Sequence, residues 1–488
     1  MNNLNKKVTS NLFWRLFERF GAQGVTFVVS IILARILDPT VYGLVALVTM
    51  FTTILQVFVD SGFGTALIQK KDADDLDFSS VFYFNITFSV LLYAVMFFVA
   101  PLISLFFNQE ELTLLIRVLS LSLIISGVKN VQQAYVSRNM MFKRFFFATL
   151  AGTICAAVIG IALAYLGFGV WALVAQYLIN LAVDTLVLWV VVKWRPKRMF
   201  SFSRLKILFS FGWKLLVSAI LDTTYKEARS LIIGKKYSKE DLAYYNRGQQ
   251  LPNVIVTNIN TSIDSILLPA MSSKQDDKER VKAMMRRSIK VSTYIMMPMM
   301  VGLAVCAEPL VRIVLTDKWL PCVLYLRIFC ITYAFYPIHT ANLNAIKALG
   351  RSDYFLGLEI AKKIVGFSAI FITMFISVEA MAYSLLVTSV LHQLINSWPN
   401  KKLLGYGYLD QIKDMLPQIL ISVVMGAIVY GISFIPLPTW VLLIIQIHVG
   451  IIIYFGFSVF FKIDSFVYLK NNLKSFLKKP NKNKENNI

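Results

Sequence analysis

Residues 79–107, SSVFYFNITFSVLLYAVMFFVAPLISLFF, contain no charged side chain. A helix crossing the hydrocarbon core of a bilayer needs about 20 mainly apolar residues, and this run exceeds that. A surface helix of a water-soluble domain would instead carry a charged face opposite its apolar one. On the N-terminal side the run is preceded by KKDADDLD, residues 70–77, which reads as a solvated loop. Outward in both directions, further apolar stretches recur from Phe13 to Phe461 with only short polar breaks. Candidate spans lie at 13–36, 41–66, 79–107, 112–135, 145–166, 169–192, 207–233, 241–270, 288–316, 322–346, 355–377, 379–398, 415–436 and 440–461. The expected class is therefore an all-α integral membrane protein of about fourteen transmembrane helices. The span at 241–270 is the most polar, with Asn246, Arg247, Gln249, Gln250, Asn253, Asn258 and Asn260, so it either lines a cavity or is not a span.

Composition agrees: 57% of the 488 residues are hydrophobic and 16% are charged, which leaves no room for a large soluble domain. The formal charge of +22 would suit nucleic acid if the bases were clustered on a soluble surface. Here they sit between apolar stretches, so no nucleic acid is expected and membrane lipids are the natural partners. With loops assigned alternately to two sides, one side collects Lys70, Lys71, Arg138, Lys143, Arg144, residues 193–206, residues 274–290 and both tails. That asymmetry predicts a multi-pass membrane protein with both termini cytoplasmic. The N-terminus shows no cleavable signal-peptide pattern, so the first helix is expected to act as the insertion signal. After Lys462, the tail places Phe466, Leu469, Leu473 and Phe476 on one face and Lys470, Lys474 and Lys478 elsewhere, as in a surface-lying amphipathic helix.

The chain also repeats itself. LDPTVYGLVA from Leu37 lies over YSKEDLAYYN from Tyr237, and VDSGFGTAL from Val59 over IDSILLPAM from Ile263, pairing Asp60 with Asp264. APLISLFF from Ala100 lies over EPLVRIVL from Glu308, and LIRVLSLS from Leu115 over YLRIFCIT from Tyr325, pairing Arg117 with Arg327. Each copy holds six spans, an even number, so the copies are parallel repeats. The expected organisation is an N-lobe at 1–192, a cytoplasmic linker at 193–206, a C-lobe at 207–402, two further spans at 403–462 and a basic tail at 463–488. Two such lobes leave a central cavity suited to alternating access.

Charges inside spans point to that cavity, because each costs on the order of 2.5–3.5 kcal/mol at the bilayer centre and so faces protein or water. The first span carries Arg15 and Arg19 on one face. The seventh, its counterpart, carries Asp222, Lys226, Glu227 and Arg229, and the eighth carries Arg247 beside Tyr244 and Gln250. Guanidinium groups bind phosphate oxygens in bidentate fashion, so Arg15, Arg19, Lys226, Arg229, Arg247, Tyr244 and Gln250 are the candidate contacts for an anionic, hydroxyl-rich substrate. The plainer alternative pairs Asp222 and Glu227 with Lys226 and Arg229 as structural ion pairs and lets Arg15 and Arg19 snorkel to head groups. Asp184, Asp222 and Glu227 are candidates for ion coupling, with a buried polar contact as the alternative for Asp184. Arg117 and Arg327 are expected to snorkel or pack, and Asp60 and Asp264 to cap helices or pair with loop bases.

Other chemistry is missing. No phosphate-binding G-x-x-x-x-G-K-[ST] run exists, so no nucleotide cofactor is expected and energy must come from H⁺ or Na⁺ coupling, the substrate gradient or downstream consumption. His339, His392 and His448 make no metal spacing, and Cys155, Cys306, Cys322 and Cys330 read as buried small hydrophobes. The protein is expected to be a transporter, not an enzyme.

The runs LARILDPTVYGLVAL, from Leu33, and FVDSGFGTALIQ, from Phe58, resemble the N-terminal signature of the polysaccharide transporter family, in the multidrug/oligosaccharidyl-lipid/polysaccharide flippase superfamily. Gly43, Asp60, Gly62 and Gly64 are the matching positions and read as fold and packing residues. The resemblance implies a flippase of the bacterial inner membrane for undecaprenyl-diphosphate-linked oligosaccharide repeat units of O-antigen, capsule or exopolysaccharide, with polysaccharide polymerase machinery as a candidate partner. It also implies basic substrate contacts in the first and seventh helices, which Arg15, Arg19, Lys226 and Arg229 fit. The second copy departs from the signature, with Ala243 opposite Gly43 and Leu268 opposite Gly64. Two rivals are a multidrug or metabolite antiporter of related fold, which would favour acidic residues, and a membrane-bound glycan polymerase or ligase.

Overall fold

Apolar spans with polar caps give helices throughout. The computed structural model describes residue 21, residues 23–60 and residues 62–477, and among these there is no strand. Two compact units divide between Ala243 and Tyr244. The first holds α1 (Gln23–Ile36), α2 (Pro39–Asp60), α3 (Phe63–Gln69), α4 (Asp75–Phe107), α5 (Leu112–Leu119), α6 (Leu121–Arg138), α7 (Phe142–Tyr165), α8 (Val170–Val191), α9 (Phe202–Lys236) and the start of α10 (Lys239–Ser272). The second holds the rest of α10, then α11 (Lys278–Val305), α12 (Ala307–Val314), α13 (Cys322–Ala334), α14 (Tyr336–Ala348), α15 (Ser352–Thr373), α16 (Val378–Leu404), α17 (Tyr408–Ile432), α18 (Thr439–Phe460) and α19 (Asp464–Leu477).

Among the described residues, 11 helical stretches are long and apolar enough to cross a membrane, α10 included. The remaining candidate spans are α1, shorter within the described residues, and the more charged α9 and α15. The protein is thus an all-α membrane protein. At 35 residues α9 is about 50 Å long, well beyond a hydrocarbon core of about 30 Å. The expected span at 288–316 is instead two helices, α11 and α12, parted at Cys306. Cys306, Cys322 and Cys330 are buried as expected, but Cys155 is exposed on α7, uncovered by other helices.

Caps repeat with the chain. Asp74 accepts from the Asp77 amide to start α4, and Asp277 accepts from the Arg280 amide to start α11, each an N-cap satisfying an otherwise orphaned donor. Other contacts are duplicated as well. Asn130 Nδ2 donates to Asp60 at 2.6 Å in the first unit, and Asn344 Nδ2 donates to Asp264 at 2.6 Å in the second. Arg117 Nε donates to the Phe97 carbonyl and Arg327 Nε to the Ala304 carbonyl, both at 3.2 Å. The aspartates are therefore held by amides of α6 and α14, not by loop bases. Neither arginine snorkels: Arg117 bonds a carbonyl inside α4 that Pro101 leaves without its helical donor, and Arg327 bonds a carbonyl in the last turn of α11.

The acidic run is no free loop. Lys197 pairs with Asp75 at 2.6 Å, Trp194 Nε1 donates to Asp75 at 3.0 Å, and Arg204 lies 3.8 Å from Asp77. Ser79 and Ser80 hydroxyls accept from the Lys197 and Ser201 amides. Residues 70–80 thereby anchor residues 194–204 at the start of α4, over a core of Phe78, Phe82, Leu188, Trp194 and Leu208. Of the signature glycines, Gly43 is crowded: a Cβ there would lie 2.0 Å from the Lys239 carbonyl oxygen. Gly62 has φ of 69°, where an L side chain is strained. Gly64 has no atom within 4 Å of such a Cβ, so the packing role expected of it is not seen.

Candidate functional site

In the first unit, α9 brings its charged residues onto a helix that packs against α2, α3 and α4. Lys226 Nζ and Asp222 Oδ2 are 2.7 Å apart, one turn apart on the helix, and both side chains remain largely exposed. Arg229 is turned inward instead, with only 6% exposure, and lies within hydrogen-bonding reach of the Tyr225 hydroxyl. Glu227 is partly covered and makes no ion pair among the described residues. The sequence-predicted pairing thus holds for Asp222 with Lys226, and Arg229 has a separate, buried environment. Arg15 and Arg19 lie outside the described residues.

Asp184, on α8, receives an ion pair from Lys129 of α6 at 2.5 Å, with both side chains mostly covered. Removing either partner would leave the other as an uncompensated buried charge. Lys129 is a residue that sequence reading passed over. Its signal was available, a lone lysine inside the span at 112–135.

In the second unit the polar α10 explains itself. Arg247, 8% exposed, lies 4.8 Å from the Trp319 ring centroid and donates to Gln250 Oε1 at 2.6 Å. Tyr244 packs edge-on against the same ring, with centroids 6.1 Å apart. Trp319 is fully buried, on a 3-10 turn at Asp317–Trp319 that sequence reading did not single out. Gln249 donates to the Tyr333 hydroxyl at 2.9 Å, and Asn260 accepts from Thr340 at 3.1 Å.

What remains uncovered on α10 is a polar stripe: Gln250, Asn253, Thr257, Thr261 and Asp264 are all exposed and follow at helical spacing. The repeat offset that aligns Asp60 with Asp264 places Thr49, Thr53 and Gln56 of α2 at the positions of Asn253, Thr257 and Asn260. Each copy therefore carries amide and hydroxyl groups along its second span. Position-by-position comparison of the copies would have found them.

On the opposite side of α10, Ile255 borders an apolar groove of about 490 Å³. Its walls come from α11, α17 and α18, including Pro298, Met299, Leu303, Met425 and Ile451. Among the described residues no cluster of three or more His, Cys, Asp or Glu could hold a metal. His339 bonds Asn396, His392 bonds the Lys362 carbonyl and His448 bonds Ile444 within its own helix.

The chain belongs to the polysaccharide biosynthesis protein family, whose profile matches residues 32–324. It is 27% identical over 317 residues, 64% of each chain, to the succinoglycan biosynthesis transport protein ExoT of Rhizobium meliloti. To the teichuronic acid biosynthesis protein TuaB of Bacillus subtilis it is 23% identical, over 89% of this chain and 90% of that one. To the lipopolysaccharide biosynthesis protein WzxC of Escherichia coli it is 23% identical over 88% and 89%. Among solved structures it resembles the lipid II flippase MurJ in an inward closed conformation, with a TM-score of 0.76, 16% identity and coverage of 92% of this chain and 98% of that one. An inward-facing multidrug resistance MATE family transporter of the MOP superfamily gives a TM-score of 0.62 at 17% identity, over 78% of this chain and 95% of that one. These likenesses show that the chain shares the fold of these two solved proteins.

Proposed function

We propose that this protein flips undecaprenyl-diphosphate-linked oligosaccharide repeat units from the cytoplasmic to the outer leaflet of a bacterial inner membrane by alternating access. The observation that carries the reading is α10, whose polar stripe faces one way while Ile255 borders an apolar groove on the other. Such cargo has both chemistries. Hydroxyls and amides of the stripe exchange hydrogen bonds with sugars, and the groove accommodates an isoprenoid chain without exposing it to water. Lys226, largely exposed on α9, and Arg229 beside it are the cationic groups we assign to the diphosphate, since phosphate oxygens accept charge-assisted hydrogen bonds, and Arg247 of the second unit is assigned a separate contact with the cargo. Membership of a family of polysaccharide biosynthesis proteins supports the substrate class.

A drug antiporter is less well supported. A cationic drug favours unpaired acids, whereas Asp184 is neutralised by Lys129 and Asp222 by Lys226. Glu227, with no ion-pair partner among the described residues, is the coupling candidate we retain. The test is complementation of a deletion strain. Lys226→Ala, Arg229→Ala and Arg247→Ala should abolish glycan export at normal membrane abundance, and full export by all three would reject these contacts. Glu227→Gln should lower export while leaving abundance unchanged.

A further inference from the structure

Where α11, α17 and α18 pass from charged to apolar sequence, they do so at one place. On α11 the change falls between Lys290 and Val291, on α17 between Asp414 and Met415, and after α18 between Phe461 and Lys462. Two cavities open at this level on either side of Lys290. One, of about 510 Å³, is lined by Lys290, Lys413, Lys462 and Asp464 above an apolar wall of Leu416, Leu420 and Phe461. The other, of about 380 Å³, is lined by Arg286, Arg287, Lys290, Asp464 and Tyr468.

The internal ion pairs do not use up this charge. Arg286 holds Asp414 through two bonds of 2.5 and 2.6 Å, and the Tyr406 hydroxyl donates to the same carboxylate at 2.8 Å. Burial, then this hydrogen bond to a carboxylate, pushes the Tyr406 phenol well above its usual range, so it stays a donor. Lys290 bridges Asp414 at 3.6 Å and Asp464 at 3.3 Å. The two carboxylates are thus answered by Arg286 and Lys290. Lys413 and Lys462 line the same cavity and form no ion pair among the described residues, and Arg287 stacks 4.9 Å from the Tyr468 ring. Below Lys413 the exposed side chains Leu416, Leu420 and Val423 continue down α17 at helical spacing.

We propose that this junction of α11, α17, α18 and α19 is a binding site for an anionic diacyl phospholipid, its phosphate between Lys413 and Lys462 and an acyl chain along Leu416, Leu420 and Val423. Basic pockets between spanning helices at the interface recognise phosphate head groups in this way. The apolar wall decides for a lipid over a free phosphate, because a soluble anion gains nothing from it.

Purified full-length protein, washed in detergent and supplied with phosphatidylglycerol or phosphatidylethanolamine, tests the site by native mass spectrometry. Wild type should retain one phosphatidylglycerol in preference to phosphatidylethanolamine. The double variant Lys413→Gln/Lys462→Asn should bind it about thirtyfold more weakly. Asn is chosen at 462 because the backbone there has φ of 47°, which Asn tolerates. A control losing two charges elsewhere, Lys71→Gln/Lys143→Gln, should match wild type. Equal retention of both lipids by wild type, or unchanged retention by the double variant, would overturn the proposal. So would one-for-one displacement of phosphatidylglycerol by undecaprenyl phosphate, which would give the seat to the substrate's carrier.

Discussion

The two copies of the repeat differ most where they are most alike in sequence. In the first, α2 stops at Asp60, Gly62 takes a positive φ, and a short α3 sets off at Phe63. In the second, α10 runs on past Asp264 to Ser272, with Ile266 where the first copy has Gly62. Yet both aspartates are held at 2.6 Å by an asparagine of a later helix, α6 in the first copy and α14 in the second. The polar contact has been kept while the backbone around it changed. A polar side chain on a spanning helix is costly to leave without a hydrogen-bond partner, whereas helix continuity depends on a single residue's tolerance of φ.

A second contrast is chemical. Counting back from the two asparagines, Lys129 corresponds to Leu343, and counting from the starts of α8 and α16, Asp184 corresponds to His392. The first unit has a buried ion pair where the second has none. Lys129→Ala should therefore produce the largest effect, a loss of about 3–5 kcal/mol, because it strands a buried carboxylate. Lys129→Leu/Asp184→Asn should recover most of it. Thermal melting of the purified protein reads both, and a small effect of Lys129→Ala would remove the contrast. Gly43→Ala comes next at about 1–3 kcal/mol, since the new methyl meets the Lys239 carbonyl; reduced membrane abundance would register it. Smaller still are Asn130→Ala and Asn344→Ala, each costing about 1 kcal/mol. Matching losses in the two would sharpen the view that the aspartate contact is a shared structural element, and a loss in one alone would break it.

Much of this was legible in the sequence. Long uncharged runs such as 79–107 leave no alternative to a spanning helix, and the Asp60/Asp264 and Arg117/Arg327 matches found contacts that the structure duplicates. Partner identity was not legible. Lys129 and Asp184 lie 55 positions apart on different helices, and no periodicity in either helix announces the other. The acidic run at 70–77 looked solvated because its partners, Lys197 and Arg204, belong to a segment more than a hundred residues later. Arg247 was recognisable as a charge needing company, but its Trp319 floor comes from a 3-10 turn that hydropathy cannot register.

The central claim is movement of a lipid-linked oligosaccharide across the bilayer, and the leaflet on which that molecule resides reports it most directly. In spheroplasts of a deletion strain probed with a membrane-impermeant glycan-modifying reagent, the lipid-linked repeat unit should be protected. Complementation with the intact chain should make it reactive, and with Arg247→Ala it should stay protected. Full reactivity in the deletion strain would contradict the account.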